Sequence, residues 1–166
     1  MVPLYAALYK KRGSVLSWVS FDTNQPNDDL QGSLSWIRPT GAPPNSYPNG
    51  FELLSTLRGS RYRPPGGANS RVVDLVNGLV LLSGGGLAEP STNSVFFGAD
   101  NKVTSAGPNK LTFKLTASSG LFKGTLTQTG TTERVNFAGA VLQKSREGSG
   151  YFLRLNQSGR VAFEAE

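Results

Sequence analysis

The stretch DTNQPNDD (22–29) gathers Asp22, Asn24, Asn27, Asp28 and Asp29, oxygen ligands of the kind calcium takes. Their spacing misses the EF-hand loop pattern. A polar turn is therefore the first reading, and a calcium site built from Asp22, Asn24, Asp28 and Asp29 the second. Asp28 and Asp29 are adjacent, and neighbours along a strand point to opposite faces, so they do not by themselves form an acid/base pair. RGSRYRPP (58–65), with Arg71 beyond it, collects Arg58, Arg61 and Arg63 around Tyr62. Strand alternation would place Arg61 and Arg63 on one face. Such a face can clamp phosphate or carboxylate and stack on rings, or simply be solvated. A third group is Trp36, Arg38, Tyr47 and Phe51, which flank or occupy the loop IRPTGAPPNSYPNG. Trp and Tyr offer a flat apolar face and a polar edge, and long loops on a rigid sheet often carry function. The competing reading is a Pro-rich lid, residues 39–50, packed as a plug.

The chain has Cys 0 and His 0. Thiolate nucleophiles, Cys–His and Ser–His–Asp arrangements, zinc fingers and haem-ligating His are excluded together. Catalysis would have to rest on Asp, Glu, Lys, Tyr or a Ser–Lys pair. No P-loop, GxGxxG, GxSxG or SxxK motif occurs. The expectation is a non-enzyme without cofactors, with a glycoside-acting enzyme as the weakest reading. Net charge is +6, but the 17 Lys and Arg are scattered over 166 residues. That suits a soluble surface better than a nucleic-acid footprint, so polyanion or nucleic-acid binding through the Arg58–Arg71 segment is the alternative function.

The elements that must position these residues are strands. Gly 20 and Pro 10 fall in turn-like places, which suits short strands and tight connections. The period is two: Leu111, Phe113 and Leu115 alternate with Thr112, Lys114 and Thr116, and Val135, Phe137, Gly139 and Val141 alternate with Arg134, Asn136, Ala138 and Ala140. Strands are expected at 4–9, 14–21, 30–37, 51–57, 71–75, 78–82, 94–98, 110–117, 121–128, 133–143, 150–155 and 159–164, with a hairpin turn at Asn77–Gly78 and no long helix. Gly32, Gly124 and Gly139 at inward places mark a curling sheet.

LQGSLSW (30–36) is echoed by LFKGTLTQ (121–128), LSWVSF by LTFKLT, GSRY by GSGY and NGLVLL by SGRVAF, in the same order along the chain. Such self-similarity reads as an internal duplication. It predicts one all-β, antiparallel, barrel-like or sandwich domain spanning 1–166. About twelve short strands would come from two degenerate six-strand halves, 1–90 and 91–166, closing one shared core. Trp18, which matches Phe113, is expected in that core. Tyr62, which matches Tyr151, is expected to be structural.

Gly120 to Gly124, Phe137 to Lys144, Gly150 to Leu153 and Asn156 to Gly159 read GLFKG, FAGAVLQK, GYFL and NQSG. Together with LYAALYKKRGSVLSWVSF and GSRYRPP they resemble a poorly characterised accessory module of large secreted, multi-module bacterial proteins. Arg154 stands where that pattern has Gly. The resemblance implies a non-catalytic, extracellular or cell-surface accessory module and names no ligand; from the residues themselves, the expectation is a glycan held against the Trp36–Tyr47 loop, or else an adhesion or assembly role. Partners would be polysaccharide or other modules of a parent protein, with self-association through β edges and no nucleic acid. No apolar run is long enough for a membrane-spanning helix, and MVPLYAALYKKRG does not read as a signal peptide.

Overall fold

The computed structural model describes residues 1–42, 46–67 and 70–166, and among them every regular element is a β-strand. β1 (Val2–Leu8), β2 (Gly13–Phe21), β3 (Leu30–Arg38) and β4 (Phe51–Gly59) form an antiparallel meander in chain order. β5 (Asn77–Gly84), β6 (Ser91–Phe97), β7 (Val103–Ser105), β8 (Lys110–Thr116), β9 (Leu121–Thr127), β10 (Arg134–Leu142), β11 (Glu147–Arg154) and β12 (Gln157–Ala165) form a second antiparallel sheet, ordered β7-β6-β5-β12-β11-β10-β9-β8. Its two end strands meet at one isolated bridge, Lys102–Lys114, so this sheet is a nearly closed barrel. The all-β, antiparallel, barrel-like expectation is met.

The sheets hold four and eight strands rather than six and six. They coincide with two compact units, Met1–Ser60 and Arg61–Glu166. A cut between residues 90 and 91 would fall inside the larger sheet, between the paired strands β5 and β6. The expected strand at 71–75 is absent, although Val72, Val73 and Leu75 are buried. They enter the core from an irregular segment, and their apolar run imitates a strand. Asn77–Gly78 opens β5 instead of turning a hairpin. The short β7 has too little apolar alternation to be seen in the sequence.

The apolar core lies within the second unit, from Val72 to Phe163. Its rings form a connected cluster: Phe113 stacks on Phe122 at 5.0 Å, and Phe163 lies 5.3 Å from Phe97 and 5.5 Å from Phe122. What makes room for them is glycine directly across the ladder. Phe137 pairs with Gly124, Phe122 with Gly139, Phe152 with Gly159 and Phe163 with Gly148. Ring and missing side chain are complementary, and the sheet can curl around its own filling. In the first unit, by contrast, Val19 and Ala42 are the buried apolar residues among those described. The core is therefore the property of one sheet, not shared between halves.

Polar fasteners hold the barrel ends. Buried Asn93 donates to Ser91 Oγ at 3.1 Å and accepts from Asn109 Nδ2 at 2.8 Å, which ties the 106–110 turn to β6. Arg154 forks onto Glu133 through Nε and Nη2, each at 2.7 Å, and its Nη1 donates to Gly86 O. That gives Arg154 a use where a glycine would have none.

Gly148→Ala tests the ring-for-hydrogen arrangement. A Cβ there would sit 2.7 Å from Phe163 Cζ, with two further ring carbons closer. Urea unfolding followed by far-UV circular dichroism should show a loss of about 1–3 kcal/mol. Gly66→Ala, where a Cβ meets nothing within 4 Å, should stay close to the parent.

Candidate functional site

Trp36, Arg38, Tyr47 and Phe51 do come together. β3 and β4 put Arg38 opposite Phe51, and Trp36 meets Phe51 edge-on at 5.3 Å while Tyr47 meets Phe51 at 5.4 Å. The indole N–H of Trp36 donates to Tyr9 Oη at 3.0 Å. The Arg38 guanidinium lies 4.5 Å from the Tyr9 ring centroid, in cation–π contact. It also donates to the carbonyls of Tyr47, Ala42 and Ser46, and Arg38 is 3% exposed. Arg12, from the β1–β2 turn, adds bonds to Gly41 O at 3.1 Å and Thr40 O at 3.3 Å.

Two arginines thus fasten the described part of the loop that follows β3, and the Trp36 N–H is satisfied inside the cluster. Arg38 is spent on backbone carbonyls of this loop. Residues 43–45 of the 39–50 loop lie outside the described residues.

The other sequence candidates are dispersed. Asp28 accepts from Arg58 Nε at 3.0 and 3.1 Å. Asp22 caps its own turn through Asn24 N and Gln25 Nε2, and Asp29 lies in the same turn with its backbone bonded to Asp22 and Gly59. Among the described residues no group of three carboxylates comes together to hold a metal. Arg61 and Arg63 are both exposed, in a segment outside any strand, while Tyr62 packs against the core of the second unit. The backbone N–H and C=O of Arg63 pair with the Gln143 amide at 2.7 and 3.0 Å. Tyr62 donates to Ala117 O, and burial pushes its hydroxyl pKa up against an opposing hydrogen bond from Gly120. Arg58 belongs to the first unit and Arg61, Arg63 and Arg71 to the second.

The residue that stands open is Trp18. Expected in the core, it is 61% exposed. The register explains this. Val15, Ser17 and Val19 face one side of the first sheet with Trp36, Leu34 and Gly32, while Trp18 faces the other, between Pro3 and Ser33, with Thr56 next in the row. Ser20, Gln31 and Arg58 form the adjoining row. Trp18, Leu54, Ser33, Gln31 and Thr56 line a shallow concavity of about 590 Å³. An exposed indole framed by hydroxyls and an amide can stack on an apolar ring face while bonding the hydroxyls around it. Hydroxyls, one amide and apolar groups line the concavity itself.

β2 hid this face because it is apolar on both sides: Val15 and Val19 alternate with Leu16 and Trp18. β3 is not ambiguous, since Gln31, Ser33 and Ser35 alternate with Leu30, Leu34 and Trp36. Had the register across the 22–29 turn been known, Ser33 would have placed Trp18 outward. Comparison with family models finds no match for this chain, and a search of curated proteins finds none either.

Arg38→Met should remove the guanidinium donor from the Ala42 and Ser46 carbonyls and leave the Tyr47 carbonyl to Gly50 N alone. Because both tryptophans of the chain lie in β2 and β3, indole fluorescence reports this sheet. Urea unfolding read that way should lose about 1–3 kcal/mol. Unchanged unfolding would mean that the loop is not held by Arg38.

Proposed function

We propose that the chain is a non-catalytic carbohydrate-binding module carried by an exported bacterial protein. The observation that carries this reading is Trp18, exposed on an open sheet face beside Ser33, Gln31 and Thr56. An indole held on paired strands presents a rigid platform at little entropic cost. The surrounding hydroxyl and amide groups match the hydroxyls of a sugar rather than a charged ligand. The site intended by the Trp36–Tyr47 loop reading thus moves to the opposite face of the same strands.

The resemblance of GLFKG, FAGAVLQK, GYFL and NQSG to accessory modules of secreted proteins supports an extracellular or cell-surface setting and an adhesive or assembly role. β4 ends its sheet as a nine-residue strand with Leu53 and Leu54 exposed, the kind of edge that pairs with another chain. At the other end of that sheet β1 carries Pro3, whose missing N–H limits pairing. The charged group next to the Trp18 row is already paired, Arg58 with Asp28 at 3.0 Å. The Arg58–Arg71 alternative is weakened by the Asp28 carboxylate on Arg58 and by the division of these arginines between two units.

Pull-down on insoluble neutral polysaccharides (cellulose, chitin, xylan) tests the proposal. At least one should retain the protein. Trp18→Ala should weaken that retention by at least about tenfold, equivalent to about 1.4 kcal/mol, while Trp36→Phe leaves it intact. Retention that survives Trp18→Ala, or none on any neutral polymer, would defeat the reading.

A further inference from the structure

We infer that the outer face of β8–β12 is a second binding surface, for an acidic polysaccharide. It belongs to the other unit and uses none of the residues around Trp18. The inference rests on a convergence that the sheet order creates. Lys114, Lys123, Ala138, Tyr151 and Arg160 come from five different strands yet stand side by side in one cross-strand row. The next row on the same face is Thr112, Thr125 and Asn136, and the one after is Lys110, Thr127 and Arg134. Across these rows there are five cations and no carboxylate.

Among the described residues, Lys110, Lys114, Lys123, Arg134 and Arg160 have no ion-pair partner. Two nearby acids are engaged elsewhere, Glu133 with Arg154 at 2.7 Å and Asp100 with Lys102 at 2.9 Å, and Glu147 and Glu164 stand on the same face two rows further along β11 and β12. Like charges set directly across a ladder cost stability, and Lys114 opposite Lys123 is such a pair. A polyanion lying on the row would remove that repulsion.

The shape and the flanking groups narrow the polyanion. Ala138 leaves a dip between Lys123 and Tyr151, within a shallow depression of about 700 Å³. Tyr151 is 59% exposed at its rim. One ring, a hydroxyl row and an amide suit a sugar that stacks on Tyr151 while its acidic groups meet cations spaced at the ~4.8 Å strand interval. Single-stranded nucleic acid is usually held on successive stacking aromatics, and this face offers one. Duplex DNA is read by an element that enters a groove, and none projects from this face. The shared chemistry is a sugar chain bearing carboxylate or sulfate.

The test is titration of the full chain with polygalacturonate, dextran sulfate, neutral dextran and a single-stranded oligonucleotide, at several salt concentrations. At least one acidic glycan should bind, with affinity that falls as salt rises, and neutral dextran should not bind in this way. Lys123→Gln/Arg160→Gln should weaken that binding by at least about tenfold. The charge-matched Lys10→Gln/Lys11→Gln should change it less than about twofold, and Trp18→Ala should not change it. Tyr151→Ala should weaken binding further, with the larger effect on whichever acidic glycan binds more tightly. Equal losses in the two double variants would reduce the effect to net charge and overturn the inference. So would tighter binding of the oligonucleotide than of either glycan, or no binding to any polyanion. Because the neutral-glycan assay depends on Trp18 and this one on Lys123 and Arg160, failure of one reading is separable from failure of the other.

Discussion

Glycine across the ladder from phenylalanine is the constraint on which the barrel depends. Four buried rings, Phe122, Phe137, Phe152 and Phe163, each face a glycine on a neighbouring strand. A sheet of eight strands that curls tightly enough almost to meet itself has little interior space. Filling it with rings from every strand would overpack it, and leaving rings out would forfeit about 1.5–3 kcal/mol of burial for each. Alternating ring and hydrogen solves both problems on the same ladder. The rings then reach one another at 5–6 Å, as Phe113, Phe122 and Phe163 do.

Because the interior is filled by the inward residues, the outward residues are free of packing duty. That freedom is used differently in the two sheets. The barrel turns lysines, arginines and one tyrosine outward on adjacent strands. The four-stranded sheet turns out an indole with small hydroxyl residues. Its other face carries Trp36, Arg38 and Phe51, where the loop after β3 is fastened by guanidinium-to-carbonyl bonds.

Much of this was legible in the sequence. The all-β class followed from period-two runs such as Leu111–Thr116 and Val135–Val141, and the inward glycines at 124 and 139 announced curvature. The assembly of Trp36, Arg38, Tyr47 and Phe51 was also visible, because all four border one loop. What could not be read was non-local pairing. Nothing in the order of residues says that β12 returns to β5, so six-and-six looked as reasonable as four-and-eight. The same blindness hid the cationic row, whose members lie on the five strands β8 to β12 and meet only through register. Trp18 was misassigned for a local reason: both faces of β2 carry apolar side chains, and alternation cannot choose between them.

The central claim is that each buried ring and its opposing glycine act as one unit, and a double-mutant cycle on Phe152 and Gly159 tests it most directly. A Cβ at Gly159 would collide with the Phe152 ring, so Gly159→Ala alone and Phe152→Leu alone should each destabilise the barrel. Combined, they should cost less than their sum by at least about 1 kcal/mol, because the smaller side chain admits the methyl group. Costs that simply add would show that ring and glycine are independent, and would contradict the account.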